Sequence, residues 1–186
     1  MKKRRGIRPG QALEWGAYEG APLRWQVLEV DPQAGLALLI LKRTPLATPL
    51  HGTLPYPGWE ASQACAFLNS KFLEAAWTPQ ERQLLHPHPA LKAAAPLFIL
   101  DAEEVGRYFA KPSLARVELL PSAIAAGGYV DNEGCGCWWL RGPGRTPEEA
   151  PLVGFDGSRG YYKPATYAHV ALRPALWVAY ATLVRG

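Results

Sequence analysis

The sequence predicts an α+β fold: antiparallel hairpins, two or three short helices and much irregular loop. Strand-like alternation comes first (23–41), capped helical signatures fall in the middle (60–108), and strand-like segments return near the end (137–178). Eighteen prolines and eighteen glycines are spread along the chain. Both residue types interrupt regular structure, so each element is short.

Residues 11–15 read as a first strand and 16–22 as a turn. Residues 23–30 (LRWQVLEV) alternate as a half-buried strand, and 36–41 (LALLIL) form an apolar run of strand length; Asp31-Pro32-Gln33-Ala34-Gly35 between them makes a hairpin. Residues 44–58 are proline-rich and irregular. Ala64, Cys65, Leu68 and Phe72 then share one helical face over 60–72. Thr78-Pro79-Gln80-Glu81 and Asp101-Ala102-Glu103-Glu104 are capping boxes that open helices, the first ending near His86 before Pro87 and Pro89, the second running through Tyr108. Residues 96–100 (PLFIL) between them look like a strand. A weaker helix over 122–126 stops at Gly127-Gly128. Residues 137–141, 151–155, 161–162 and 171–178 are the late strands, with Asp156-Gly157 as a tight turn.

The chain has 186 residues, 48% of them hydrophobic, which suits a single core and excludes disorder for the bulk. The expected division is a flexible basic tail over 1–8 and a single domain over 9–182. The formal charge is +4, and Lys2, Lys3, Arg4, Arg5 and Arg8 all lie in that tail, leaving a nearly neutral body. Such a tail is able to hold nucleic acid through phosphate contacts. The body has no basic stripe with interleaved aromatics, so nucleic acid is not expected elsewhere. No apolar run reaches the roughly 20 residues of a spanning helix, and MKKRRGIRPG has no apolar segment behind its charges, so no membrane span or signal peptide is expected. The expected location is the cytoplasm, or a phage or secretion particle.

The order of elements and their words resemble a bacterial family of domains of unknown function. The words are Leu13-Glu14-Trp15-Gly16 with Arg24-Trp25-Gln26-Val27-Leu28, then Trp59-Glu60-Ala61-Ser62 and Phe67-Leu68-Asn69. The most specific are Cys137-Trp138-Trp139-Leu140-Arg141-Gly142-Pro143-Gly144, Val153-Gly154-Phe155-Asp156-Gly157 and Leu172-Arg173-Pro174-Ala175-Leu176-Trp177. They resemble that family's WWLRSPG, Val-x-x-Asp-Gly and VRPALW signatures, with Gly142 in place of the serine and Leu172 in place of the valine. The family is similar to the C-type-lectin-like superfamily, which includes formylglycine-generating enzymes. The resemblance implies a C-type-lectin-like domain whose late loops present a binding face, without fixing an activity.

The candidate ligand-binding residues are Trp138, Arg145, Asp156, Arg159, Tyr161, Tyr162 and Tyr167, with Lys163 on the same loops. Tyrosine with arginine is the composition of recognition surfaces. Trp138 and Trp139 point to opposite faces if they lie on a strand, one of them into the core. Arg141, Arg173 and Trp177 are read as structural, with Asp131, Glu133 or Asp156 as counter-charges for the two arginines. The expected partner is a protein or a small molecule, bound without catalysis. One alternative is a copper oxidase using Cys135 and Cys137, although their spacing differs from the enzymes concerned; another is a structural subunit of a phage or secretion particle. No metal, cofactor or catalytic residue is expected. His86 and His88 are read as an exposed loop, Asp131–Gly134 as a plain turn, and the three cysteines as free thiols.

Overall fold

The structure, a computed structural model, describes residues 6–183. In chain order the strands are β1 (Ala12–Tyr18), β2 (Ala21–Asp31), β3 (Leu36–Leu41), β4 (Arg43–Thr44), β5 (Leu85–His86) and β6 (Leu97–Phe98), followed by β7 (Val117–Leu119), β8 (Cys135–Gly136), β9 (Trp138–Trp139), β10 (Glu149–Val153), β11 (Tyr161–Pro164) and β12 (Ala175–Ala179). The helices are α1 (Gln63–Phe67), α2 (Leu73–Ala76), α3 (Pro79–Arg82), α4 (Ala102–Tyr108), α5 (Pro112–Ala115) and α6 (Pro121–Ala125). The fold is mixed α+β, with mostly antiparallel sheets and short helices.

The main sheet runs β1-β2-β3-β12-β5, and β6 also pairs with β12. Glu19 and Gly20 join β1 to β2 with φ of 50° and 80°, the two left-handed conformations of a tight hairpin turn. The turn is therefore narrower than predicted and β1 longer. β3 occupies the predicted span, and residues 37–41 are buried on both faces. Its outer neighbour is the late strand β12, in register from Ala175 opposite Ile40 to Ala179 opposite Leu36. The smaller sheets are β11-β10-β9 and β4-β7-β8, the latter with a parallel β4–β7 pair.

The predicted helix over 60–72 is capped by Ser62, whose hydroxyl accepts the Cys65 N–H, and it continues through a π-helical turn (Leu68–Phe72) into α2. Asn69 in that turn docks the helix on β6: its amide donates to the Leu97 carbonyl and accepts the Leu97 N–H, each at 2.9 Å. Leu68 and Phe72 are thereby sealed against the sheet. Both capping boxes are present, at Thr78/Glu81 and Asp101/Glu104. α3 is shorter than predicted, because the chain turns after Gln83 to lay β5 against β12, Trp177 opposite His86. Among the described residues there are six α segments, α1 and α2 belonging to one continuous run, where two or three short helices were expected. Three of them (α3, α5 and α6) open with proline, which suits the first turn of a helix but not its interior.

Ile7, placed in the tail by sequence, packs in the core, and Gly10 N–H donates to the Val27 carbonyl at 2.8 Å. The folded body therefore begins inside the predicted tail. Lys2, Lys3, Arg4 and Arg5 lie outside the described residues. Among the described residues, no helix is long and apolar enough to cross a membrane.

Candidate functional site

The late strands and loops build a cleft of about 610 Å³. One wall is the β10–β11 hairpin with its connecting loop. Gly154 N–H donates to the Ser158 carbonyl and Gly157 N–H to the Gly154 carbonyl, both at 2.9 Å. Asp156 closes the loop by accepting the Ser158 hydroxyl at 2.6 Å and the Ser158 N–H at 3.0 Å. The hydroxyl bond, reinforced by the backbone, holds its carboxyl below the usual carboxylate range. Gly157 has φ of +84°, and a Cβ there would lie 1.9 Å from the Pro112 carbonyl oxygen, so the loop tip is seated against α5. Arg116 fixes the base through its Nε, which donates to the Phe155 carbonyl at 3.0 Å. A loop so tied holds the Phe155 ring outward at little further entropic cost.

The opposite wall is non-local in sequence. Tyr129 N–H donates to the His169 carbonyl, and His169 Nδ1 lies 2.7 Å from the Gly127 carbonyl, which makes Nδ1 the protonated nitrogen. The Tyr129 and His169 rings stack at 4.0 Å, 3° from parallel, and Tyr167 meets His169 edge-on at 5.1 Å. Lys163 Nζ stands 5.3 Å over the Tyr167 ring. Cys137 lies on the floor, where burial pushes its thiol up to about 11; burial raises Cys135 as well. Both are therefore thiols at neutral pH, and all three cysteines are free.

Of the predicted ligand residues, the cleft brings together Asp156, Tyr161, Tyr162 and Tyr167, and it adds Tyr129, Phe155 and His169. Trp138 is a correction. Its exposure is 0%, its indole N–H donates to the Ala115 carbonyl, and the Arg173 guanidinium lies 4.9 Å over its ring. Trp139 is equally buried, donating to the Thr48 carbonyl, so neither tryptophan faces a ligand. Arg145 stands at the edge of the cleft, its guanidinium 4.4 Å over the Tyr162 ring. Arg159 turns away and donates to the Ala102 carbonyl at the start of α4.

The arginines read as structural have partners other than those expected. Arg173 is 1% exposed and is held by carbonyls rather than carboxylates: Nε donates to Leu41 and one terminal nitrogen to Ala115, at 2.8 and 2.9 Å. Burial lowers its pKa to about 9, which leaves it charged at neutral pH. Arg141 pairs with Asp101 and Glu104, each at 3.0 Å. Asp131 and Glu133 instead hold Arg116, so the expected counter-charge assignment is corrected. The 131–134 turn is closed by Asp131 accepting the Glu133 and Cys135 N–H groups. Trp177 lies within β12, opposite Leu38 and His86.

The His-Pro-His-Pro segment is an exposed loop only in part: His86, Pro87 and Pro89 are exposed, but His88 is not. His86 belongs to β5, and His88 is buried, with Nε2 2.8 Å from Glu104 and Nδ1 accepting the Ala90 N–H at 3.1 Å. The accepting Nδ1 puts the proton on Nε2, so this histidine joins the Glu104–Arg141–Asp101 network as a neutral donor. Among the described residues, no group of three or more His, Cys, Asp or Glu side chains is placed to hold a metal ion.

No protein-family model, curated protein or solved structure matches this chain.

Proposed function

We propose that the chain is a non-catalytic binding module of C-type-lectin-like build, and that the aromatic cleft takes a flat aromatic group of a protein or small-molecule ligand. One observation carries the reading. Tyr129, Phe155 and Tyr161 keep 53%, 39% and 48% of their surface exposed in the same cleft, while Trp138 and Trp139, from the same late segments, are fully buried. Grouped exposed rings on a tied loop offer rigid contact area with little ordering to be done on binding. Asp156, Lys163 and the tyrosine hydroxyls give such a pocket the few polar groups that orient a ligand. Residence in the cytoplasm, or in a phage or secretion particle, belongs to the same proposal.

Ligand-observed NMR with p-cresol as the probe and cyclohexanol as the saturated control tests it. Saturable p-cresol contact is expected for the native chain and for Arg159→Ala, and its loss for the folded Tyr129→Ala/Tyr161→Ala variant. Unchanged contact in the double variant would remove the cleft from consideration.

A further inference from the structure

Among the described residues, two charged side chains line the aromatic cleft, Asp156 and Lys163, and they differ in what they already hold. Each Asp156 oxygen accepts from Ser158, one from its N–H and the other from its hydroxyl. The Lys163 ammonium makes no hydrogen bond or ion pair among the described residues and stands over the Tyr167 ring. A ring face takes up only one side of an ammonium, which has three N–H donors. The unmatched polar group of the cleft is therefore a donor, and a ligand that completes it brings the acceptor.

The strand β11 places that donor beside the exposed rings. Residues two apart on a strand share a face, so Lys163 leaves β11 on the side from which Tyr161 enters the cleft, about 7 Å further along. Both positions are fixed by pairing with β10, Lys163 opposite Ala150 and Tyr161 opposite Leu152. The charge of Lys163 is also felt by the Cys137 thiol on the floor, where it opposes the effect of burial. Asp156 resists an anion less than a bare carboxylate would, because the Ser158 donors and, at longer range, Arg116 offset its charge. An amine, by contrast, brings like charge to Lys163 and meets Asp156 oxygens that are already accepting.

We propose that the ligand of the aromatic cleft is an aromatic carboxylate, its ring set among Tyr129, Phe155 and Tyr161 and its carboxylate on Lys163 Nζ. This rests on the cleft being the binding face and names the class of ligand that face takes. A stem of one or two carbons between ring and acid suits the spacing of Tyr161 and Lys163. The group belongs either to a free arylalkanoic acid or to the carboxyl-terminal aromatic residue of a protein.

Ligand-observed NMR titrations of the full chain with p-cresol, 4-hydroxyphenylacetate and tyramine test the proposal, since the three share a phenol and differ in charge. At low salt the acid should bind about two- to fivefold tighter than p-cresol, the size of an ion pair at the mouth of an open site, and tyramine no tighter than p-cresol. The advantage of the acid should shrink in about 0.5 M sodium chloride. Lys163→Gln should bring the ratio of acid to cresol affinity to one or below, and Lys163→Arg should keep it above one. Binding of N-acetyl-tyrosine at least as tight as that of the acid identifies a chain terminus as the source, and weaker binding a free acid. If p-cresol makes no saturable contact, the cleft is not the binding face and both readings fall. If p-cresol binds but the acid binds no tighter, tyramine binds tighter, or the ratio survives Lys163→Gln, the carboxylate assignment alone is overturned.

Discussion

Replacing Arg173 with lysine should harm the protein more than replacing it with methionine, although lysine keeps the charge. Arg173 lies between the Phe109 and Trp138 rings, 5.5 and 4.9 Å from its Cζ, and its two assigned bonds go to main-chain carbonyls. Methionine loses two charge-assisted bonds worth about 1.5–3 kcal/mol each. It also removes a desolvation cost of several kcal/mol for a buried ion, so the two effects nearly offset. The Ala115 carbonyl keeps the Trp138 indole N–H at 2.9 Å, which leaves little unsatisfied. The net loss for Arg173→Met is about 1–2 kcal/mol. Lysine leaves a buried point charge that does not span the Leu41 and Ala115 carbonyls together and does not stack as a plane, and an uncompensated buried charge costs about 3–5 kcal/mol. Urea unfolding with linear extrapolation reads both values. At this chain length the lysine variant should melt about 5–10 °C below the methionine variant. If lysine is as well tolerated as methionine, the carbonyl fork and ring sandwich are not what holds Arg173, and the argument fails.

Trp138→Ala should cost about 3–5 kcal/mol, as for other fully buried aromatics, whereas Tyr161→Ala should stay within about 0.5 kcal/mol; comparable losses in urea unfolding would contradict their assignment to core and cleft. Cys137 should alkylate with iodoacetamide about 100-fold more slowly at pH 7 than an unperturbed thiol. Because burial raises its folded pKa to about 11, the thiolate fraction, and with it the rate, should climb until the pH nears that value. A rate that levels off near pH 8 would refute this, with Cys65→Ser/Cys135→Ser isolating the signal.

Local signals were legible in the sequence and non-local ones were not. The run LALLIL specified β3 to the residue, and Thr78/Glu81 and Asp101/Glu104 formed the capping boxes their spacing predicted, because each depends on neighbours within about four residues. His88 was misread because prolines signal exposed loops, and the strand that holds the exposed His86 was missed because its pairing comes from Trp177, far along the chain. Trp138 was misplaced by strand alternation, which guarantees that adjacent residues point apart but not that either side is open. Here α5 and Arg173 cover one face, and the segment carrying the Thr48 carbonyl covers the other. The cleft was half legible. Asp156, Tyr161, Tyr162 and Tyr167 cluster in sequence, but Tyr129 joins them through its N–H bond to the His169 carbonyl and the His169 ring's bond to the Gly127 carbonyl, and no periodicity announces that contact.

A smaller groove between the 56–59 segment and the 142–149 loop hangs on the same strand as the aromatic cleft. Glu149 begins β10 and lines the smaller groove, while Leu152 and the following Gly154 line the aromatic cleft. β10 is hydrogen-bonded on both edges, Leu152 opposite Trp139 on one side and Tyr161 on the other, and residues 150–153 are buried. Coupling between sites requires an element with two arrangements that each ligand biases differently. A short strand clamped at both edges in a packed core is the opposite of such an element, since sliding it by one residue would turn its buried side chains to the wrong face. Nearness along β10 therefore gives the sites a common rigid base and no means of communication. Trp59→Ala in the smaller groove should leave p-cresol affinity in the aromatic cleft unchanged, and a changed affinity in the folded variant would refute the rigid-base argument.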